Sequence, residues 1–270
     1  LRDLEADLAD LDLLTHAARA AGAVLMSHFD TGVKVWNKGG TPVTEADHAS
    51  NALLHQTLQG ARQDYGWLSE ETQDNADRLS ARRLFVVDPL DGTVSFIKKR
   101  DDFTISLAIA SDGLPVVGVV YNPSRDEMYA AIRGQGATLN GASIRVSDAA
   151  SIEGCRMIAA RDMMENPLWR PAWPSMDIIK IGSIAYRLAL VAAGRADATM
   201  ALTSKSDWDI AAGEVIAREA GAVVTAHDGS TFLYNRPLTD QTSLLASTPG
   251  LYDALSARVS GLKLGPRVNP

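Results

Sequence analysis

The segment Val87-Asp88-Pro89-Leu90-Asp91-Gly92-Thr93 sets two carboxylates three residues apart, directly after the apolar run Leu84-Phe85-Val86-Val87. A short apolar run of this kind reads as a buried strand, and a proline cannot extend a strand's hydrogen-bond ladder, so the strand is predicted to stop at Asp88-Pro89. Gly92 permits a tight turn, and Thr93 falls near a helix start. Two acids at one strand end, with the Leu90 carbonyl, offer oxygen ligands to a hard cation. The backbone N–H groups of Gly92 and Thr93 would then suit a phosphate. The same residues also make an ordinary turn, with Asp88 capping a helix and Asp91-Gly92 forming a bend. Both readings stand at this level.

Four further acids have the same double character. Glu70-Glu71 follows Trp67-Leu68 and is either a ligand pair or a solvated acidic loop. Thr44-x-x-Asp47 and Ser206-x-x-Asp209 both have capping-box spacing, in which the acid satisfies a helix N-terminus. A carboxylate can cap with one oxygen and present the other to water or metal. His16, His28, His48, His55 and His227 show no metal-ligand spacing, and an oxygen-rich set suits Mg²⁺ better than Zn²⁺. No serine lies in a Gly-x-Ser-x-Gly setting, so a hydrolase triad has no support.

The elements that must position these acids follow from periodicity. Residues 4–28 read as an amphipathic helix with Leu4, Leu8, Leu11, Ala18 and Leu25 inward, and Thr44 opens a second helix through about Leu58. Between them, Asn37-Lys38-Gly39-Gly40-Thr41-Pro42 reads as a mobile loop, with Lys38 either near the site or simply exposed. Strands are predicted at 103–110, 116–121 and 128–132, the last running into Gly134-Gln135-Gly136. After Ser147-Asp148 helices alternate with short strands: strand 178–181, helix 184–193, strand 196–202, helix 209–220 and strand 222–226. The pattern predicts an α+β domain over 1–148 and an α/β domain over 149–270.

Composition narrows the function classes. A net charge of −7 opposes broad nucleic-acid binding, though a small phosphorylated metabolite remains compatible if metal ions supply positive charge locally. No apolar run approaches the roughly 18–20 residues that span a bilayer. The acidic, amphipathic first residues lack the layout of a secretory signal. One cysteine, Cys155, cannot form an intrachain disulfide, and a cytoplasmic location is expected. Monomer and homodimer are both compatible with the apolar stripes.

Taken together, the segments form a recognisable set. Leu68-Ser69-Glu70-Glu71, Val87 to Phe96, and Trp208-Asp209-Ile210-Ala211-Ala212-Gly213-Glu214 resemble the inositol monophosphatase-like superfamily of Mg²⁺-dependent, Li⁺-sensitive phosphatases. Pro42 to Asp47, Gly118 to Tyr121 and Gly134 to Ala137 support the match, which runs in family order over roughly residues 1–230. The resemblance implies a layered αβαβα sandwich. It implies that Asp88 bridges two metals, that Glu70 and the Leu90 carbonyl complete one site, and that Asp91 and Asp209 complete the other. Some members are thought to use a third ion near Glu70. Thr93 and Asp47 would orient the attacking water, with Glu70 nearby, for in-line hydrolysis without a phosphoenzyme.

On substrate, inositol-directed members usually carry a glutamate seven residues before the Trp-Asp aspartate, and here that position is Leu202. Ser95 to Ile105 is similar to the Phe-Ile-Lys-Arg stretch of bacterial 3'(2'),5'-bisphosphate nucleotidases, which remove the 3'-phosphate from 3'-phosphoadenosine 5'-phosphate, a by-product of sulfate assimilation. Arg187, after Gly182-Ser183, falls where those enzymes tend to be basic and suits a second phosphate; Gly92, Thr93 and Ser183 are the other expected substrate contacts. Lys98-Lys99-Arg100 reads as a solvated loop offset by Asp101-Asp102. Ser204-Lys205-Ser206-Asp207-Trp208-Asp209 departs from the nucleotidase pattern. The alternatives are an inositol, sugar or histidinol phosphatase and, from another class, a family member that acts by binding a partner.

Overall fold

Alternating apolar residues along the central strands, and helices apolar on one or more faces, can bury their surfaces only by stacking in layers. The computed structural model describes residues 3–264 apart from the side chain of Asp30; residues 1–2 and 265–270 of the predicted domains lie outside it. Helix α1 (Leu4–Thr31) leads into a hairpin, β1 (Val35–Lys38) and β2 (Thr41–Thr44), and then α2 (Glu45–Ala61). A seven-stranded sheet follows in simple order: β3 (Gly66–Ser69), β4 (Arg83–Asp91), β5 (Thr104–Ser111), β6 (Leu114–Asn122), β7 (Glu127–Ile132), β8 (Ala137–Leu139) and β9 (Ala142–Ile144). Its pairs are antiparallel except β3 with β4. A short helix, α3 (Thr93–Ile97), leaves the end of β4.

The second half contributes β10 (Arg156–Ile158), α4 (Arg161–Met164), β11 (Asp177–Ile179), α5 (Ile184–Ala192), β12 (Ala198–Ala201), β13 (Lys205–Ser206), α6 (Asp207–Glu219), β14 (Val223–Thr225), β15 (Asp240–Gln241), β16 (Leu244–Ser247) and α7 (Pro249–Val259). Five of these strands form a mixed sheet in the order β11-β10-β12-β16-β14, while β13 and β15 pair as a separate ribbon. Helices α1 and α2 cover one face of the large sheet, α5 and α6 lie between the two sheets, and α7 covers the outer face of the smaller one. The result is the expected αβαβα sandwich. A boundary at residue 148 separates the sheets but not the core, because Val86, Val120 and Tyr129 of the large sheet share one buried cluster with Leu188, Ile210 and Val215 of α5 and α6.

Three local expectations change. Strand β4 does not stop at Asp88-Pro89 but continues to Asp91 through a register shift against β5, and a bulge is one of the few places where a strand accommodates proline. The predicted loop at 37–42 is the tip of the β1–β2 hairpin, turned by Gly39 and Gly40 at φ 57° and 91°. Along α1, Leu4 and Leu8 face solvent, whereas Asp7 and Asp10 are fully buried as partners of Arg83. Charge pairing on one side of the first turns overrides the leucine stripe there.

A candidate metal centre between the two halves

The acids converge because three separate element ends meet. Asp88 and Asp91 sit on the bulged end of β4, Asp209 is the third residue of α6, and Glu70 follows the end of β3 beside them. Asp88, Asp91 and Asp209 each present a carboxylate oxygen, and these atoms all lie within 4.8 Å of one another. Asp88 is 1% exposed and Asp91 6%. Glu70 is outside that tight trio but close enough for its charge to be felt. Burial first, then Glu70, Asp91 and Asp209, push the Asp88 carboxyl well above the usual range. Burial, Asp209 and Glu71 push Glu70 up to about 8, against the opposing charge of Lys38. Acids so crowded disfavour their own ionisation. An all-oxygen donor set in that condition fits a divalent hard cation, whose charge stabilises the ionised carboxylates.

Each ligand candidate is held by a different device. Asp88 Oδ1 accepts the Leu90 N–H at 2.9 Å. Asp91 Oδ2 accepts the Ser183 hydroxyl at 2.6 Å and the Ala185 N–H at 2.7 Å, so the first turn of α5 fixes it. Burial raises the Asp91 pKa and these bonds oppose the rise. Asp209 Oδ2 accepts the Ser206 N–H at 2.9 Å in the expected capping box, with α6 beginning at Asp207 rather than at Asp209. Capping and convergence thus coexist in one side chain.

Thr93 and Asp47, the pair expected to orient water, also meet. Thr93 Oγ1 lies 3.2 Å from Asp47 Oδ1 and 3.1 Å from the Leu90 carbonyl, either of which can take its proton. Asp47 Oδ2 accepts the Thr44 N–H at 2.8 Å and the Thr44 hydroxyl at 2.6 Å. Burial dominates at Asp47 and raises its pKa in spite of these bonds. Gly92 takes φ 97°, and an added Cβ would meet the Asp102 carbonyl at 3.1 Å and the Ser183 N–H at 3.2 Å, so glycine is required on both counts.

Several predicted contacts take other roles. Ser183 is fully buried, and its hydroxyl is engaged with Asp91, with the Tyr186 N–H at 2.9 Å and with Thr104 at 2.8 Å. It braces a carboxylate instead of facing a ligand. Lys38 is not a plain exposed lysine: its Nζ lies 3.0 Å from Glu71 and donates to the Glu70 carbonyl, which places the hairpin over the acids. The basic triplet is not merely solvated, since Arg100 pairs with Asp102 at 2.6 Å and Lys99 sits over the Phe29 ring. Arg187 lies on α5, one turn after Ser183. Its Nε donates to the Ile181 carbonyl at 2.9 Å, and although burial lowers its pKa, the charges of Asp91, Asp102 and Asp209 oppose that shift. Thr104, which steadies Ser183, gives no signal in sequence, being a strand residue 79 positions from its partner.

Comparison with known proteins gives this geometry a context. The chain is 32% identical over 261 residues to "Nus factor SuhB" of Escherichia coli K12, covering 92% of this chain and 95% of the relative. It is 33% identical over 264 residues to "Inositol-1-monophosphatase" of Mesorhizobium japonicum, covering 91% and 94%. Among solved structures, the suhB protein of Bartonella henselae superposes with a TM-score of 0.82 at 31% identity, covering 94% of this chain and 99% of the other. The model of the inositol monophosphatase family matches residues 9–261. That match spans the β4 bulge, the turn after β3 and the start of α6 alike, and the chain belongs to the inositol monophosphatase family.

Proposed function

We propose that this chain is a Mg²⁺-dependent phosphatase that hydrolyses a monoester whose substrate carries a second anionic group, with 3'-phosphoadenosine 5'-phosphate as the leading candidate. The observation that carries the reaction class is the trio of oxygens from Asp88, Asp91 and Asp209 within 4.8 Å, beside the Thr93–Asp47 pair. Asp88, Asp91, Asp209, Glu70 and the Leu90 carbonyl would hold the ions. Bound there, Mg²⁺ activates water and offsets the charge of the transferred phosphoryl group. The residues do the rest. Thr93 Oγ1 directs its proton to Asp47 and turns its lone pairs to the incoming water, which aligns that water with phosphorus. As the new P–O bond forms and the ester P–O bond breaks, the water's proton passes to Thr93 Oγ1 and the Thr93 proton to Asp47, made more basic by burial, while the leaving alkoxide takes its proton from solvent water. The N–H groups at the start of α3 face the phosphate oxygens, with Gly92 allowing the close approach.

Two features favour a second anionic group. Leu202, seven residues before Asp209, is packed against an apolar cluster and has no acceptor for a polyol hydroxyl. Arg187 uses Nε on the Ile181 carbonyl, and among the described residues its two Nη groups make no protein hydrogen bond. A guanidinium so placed suits bidentate pairing with a phosphate. Inositol 1-phosphate is the second reading, favoured by the names of the Mesorhizobium japonicum relative and of the tomato "Inositol monophosphatase 2", 34% identical over 235 residues. A partner-binding role is a third, suggested by the name "Nus factor".

Phosphate release from 3'-phosphoadenosine 5'-phosphate, inositol 1-phosphate, fructose 1,6-bisphosphate and histidinol phosphate separates the first two readings. The nucleotide is expected to give the highest kcat/KM. Arg187→Met should raise KM for the nucleotide by roughly 10-fold or more, the effect of losing a charge-assisted pair of about 1.5–3 kcal/mol, and change inositol 1-phosphate turnover little. A wide preference for inositol 1-phosphate, unaffected at Arg187, would overturn the nucleotide reading.

A further inference from the structure

Asp209 is the one member of the acidic trio supplied by the second half, so the metal centre depends on how that half is registered against the first. The start of α6 is not held by the core alone. Ser206 and Lys205 pair with Asp240 and Gln241 in the small β13–β15 ribbon. The Asp207 N–H donates to the Thr239 carbonyl at 2.7 Å. Asp207 is fully buried, and Gln241 Nε2 donates to its Oδ1 at 2.7 Å and to the Leu233 carbonyl at 2.9 Å. The 239–241 end of the segment is therefore stitched to the helix start, and Gln241 ties the Leu233 end back to it.

The other side of that segment is fixed to the first half. Arg78 is only 4% exposed and is clamped by both carboxylate oxygens of Asp74, at 2.6 and 2.8 Å. It donates to Asn235 Oδ1 at 3.1 Å and to the Arg236 carbonyl at 3.0 Å, while Asn235 Nδ2 returns a bond to the Arg78 carbonyl at 3.1 Å. The Tyr234 N–H also reaches back to the Gly113 carbonyl at 3.0 Å, on the turn between β5 and β6. Arg78 lies a few residues after Glu70 and a few before β4, in the short helical turn Ala76–Ser80. Hydrogen bonds and the strap's own backbone thus connect the segment between Glu70 and Asp88, through Asn235, Arg236 and Gln241, to Asp207 and the helix that presents Asp209.

We infer that Arg78, Asn235 and Gln241 are positioning residues that act through the 233–241 strap and Asp207 to hold Asp209 at metal-binding distance from Asp88 and Asp91. None of them belongs to the acidic trio or to the Thr93–Asp47 pair. Their work is to keep two separately formed parts of a metal centre in register, as hydrogen-bonded outer residues do for the ligands they orient. The inference rests on the reading of the acids as a Mg²⁺ site.

The test measures metal binding directly, by calorimetric titration of Mg²⁺ into the full chain, alongside turnover. Asn235→Gly removes both side-chain bonds to Arg78 while suiting the left-handed φ of 54° at that position. Gln241→Met keeps volume and removes the amide that bonds Asp207. Both variants are expected to weaken Mg²⁺ binding by roughly 10-fold and to lose turnover that excess Mg²⁺ restores, with KM for the ester nearly unchanged. Ile109→Val, a core trim away from the strap, is the control for lost stability and should leave Mg²⁺ affinity intact. Wild-type affinity in both variants, with only a lower melting temperature, would reduce the strap to a structural tie and overturn the inference. Failure of the wild-type chain to bind Mg²⁺ at all would instead remove the metal-site reading beneath it.

Discussion

Asp88→Asn is expected to lower phosphate release by about 10³-fold or more, on the scale of losing a preorganised electrostatic group at the reacting centre, while making the metal-free protein more stable. The two effects have one cause. Asp88 is buried among Glu70, Asp91 and Asp209, which disfavour its ionised form. Asparagine has the same shape, and its amide oxygen can still accept the Leu90 N–H, so the bulge is preserved. What is removed is a buried charge that the empty site does not offset. The sign follows from linkage: a carboxyl whose folded pKa is raised loses stability as pH climbs above its unfolded value. The gain in metal-free Asp88→Asn should be largest near neutral pH and shrink toward pH 4, and thermal melts in chelator across that range measure it. An uncompensated buried charge costs about 3–5 kcal/mol, which bounds the gain. A variant that is both inactive and less stable would mean that Asp88 serves as structure.

Saturating Mg²⁺ should raise the melting temperature of the wild-type chain by several degrees. A ligand at one hundred times its dissociation constant adds about 2.7 kcal/mol, and each kcal/mol shifts a chain of this size by roughly 2–4 °C. The direction is fixed by the site's chemistry, because Asp88, Asp91, Asp209 and Glu70 repel one another when ionised and a cation between them does not bind the unfolded chain in the same way. Asp88→Asn should abolish most of the shift. An identical rise in wild type and variant would assign the effect to nonspecific ions.

How far the site could be read from sequence depends on the range of the interactions. The motif around Asp88 and Asp91 is local, so strand, turn and helix start follow from an apolar run, a proline and a glycine. Even there, Pro89 misleads, because a bulge admits it and the strand runs on to Asp91. The capping boxes at Asp47 and Asp209 are local too, and their spacing is legible without revealing that Asp47 reaches Thr93 or that Asp209 meets Asp88 and Asp91. The hairpin carrying Lys38 leaves a usable signal, a Gly-Gly pair between two short extended stretches, although only tertiary structure shows where its tip lands. The bond from Ser183 to Asp91 spans 92 positions and the Arg78–Asn235 exchange spans 157, and no pattern within one segment encodes either. Short strands such as β10 and β16 leave no trace because three or four residues carry too little periodicity, whereas α7 is legible in the spacing of Leu251, Leu255 and Val259.

The layering has a simpler origin. Helices α5 and α6 are apolar on several faces because they lie between two sheets, and small residues such as Ala185, Ala189, Ala211 and Ala212 let both sheets approach. Gly118 of β6 has the same purpose, since a Cβ there would meet Val215 Cγ1 at 2.4 Å. This tight stacking brings the end of β4 against the starts of α5 and α6, and so joins Asp91 to Ser183 and Asp88 to Asp209.

The most direct measurement is phosphate release by the wild-type chain and by Asp88→Asn, each assayed after chelation and again with Mg²⁺ restored. Wild type should be silent without metal and active with it, while Asp88→Asn stays near background in both conditions; equal release by the two proteins, or wild-type release that ignores the metal, would contradict a metal-dependent phosphatase built on these acids.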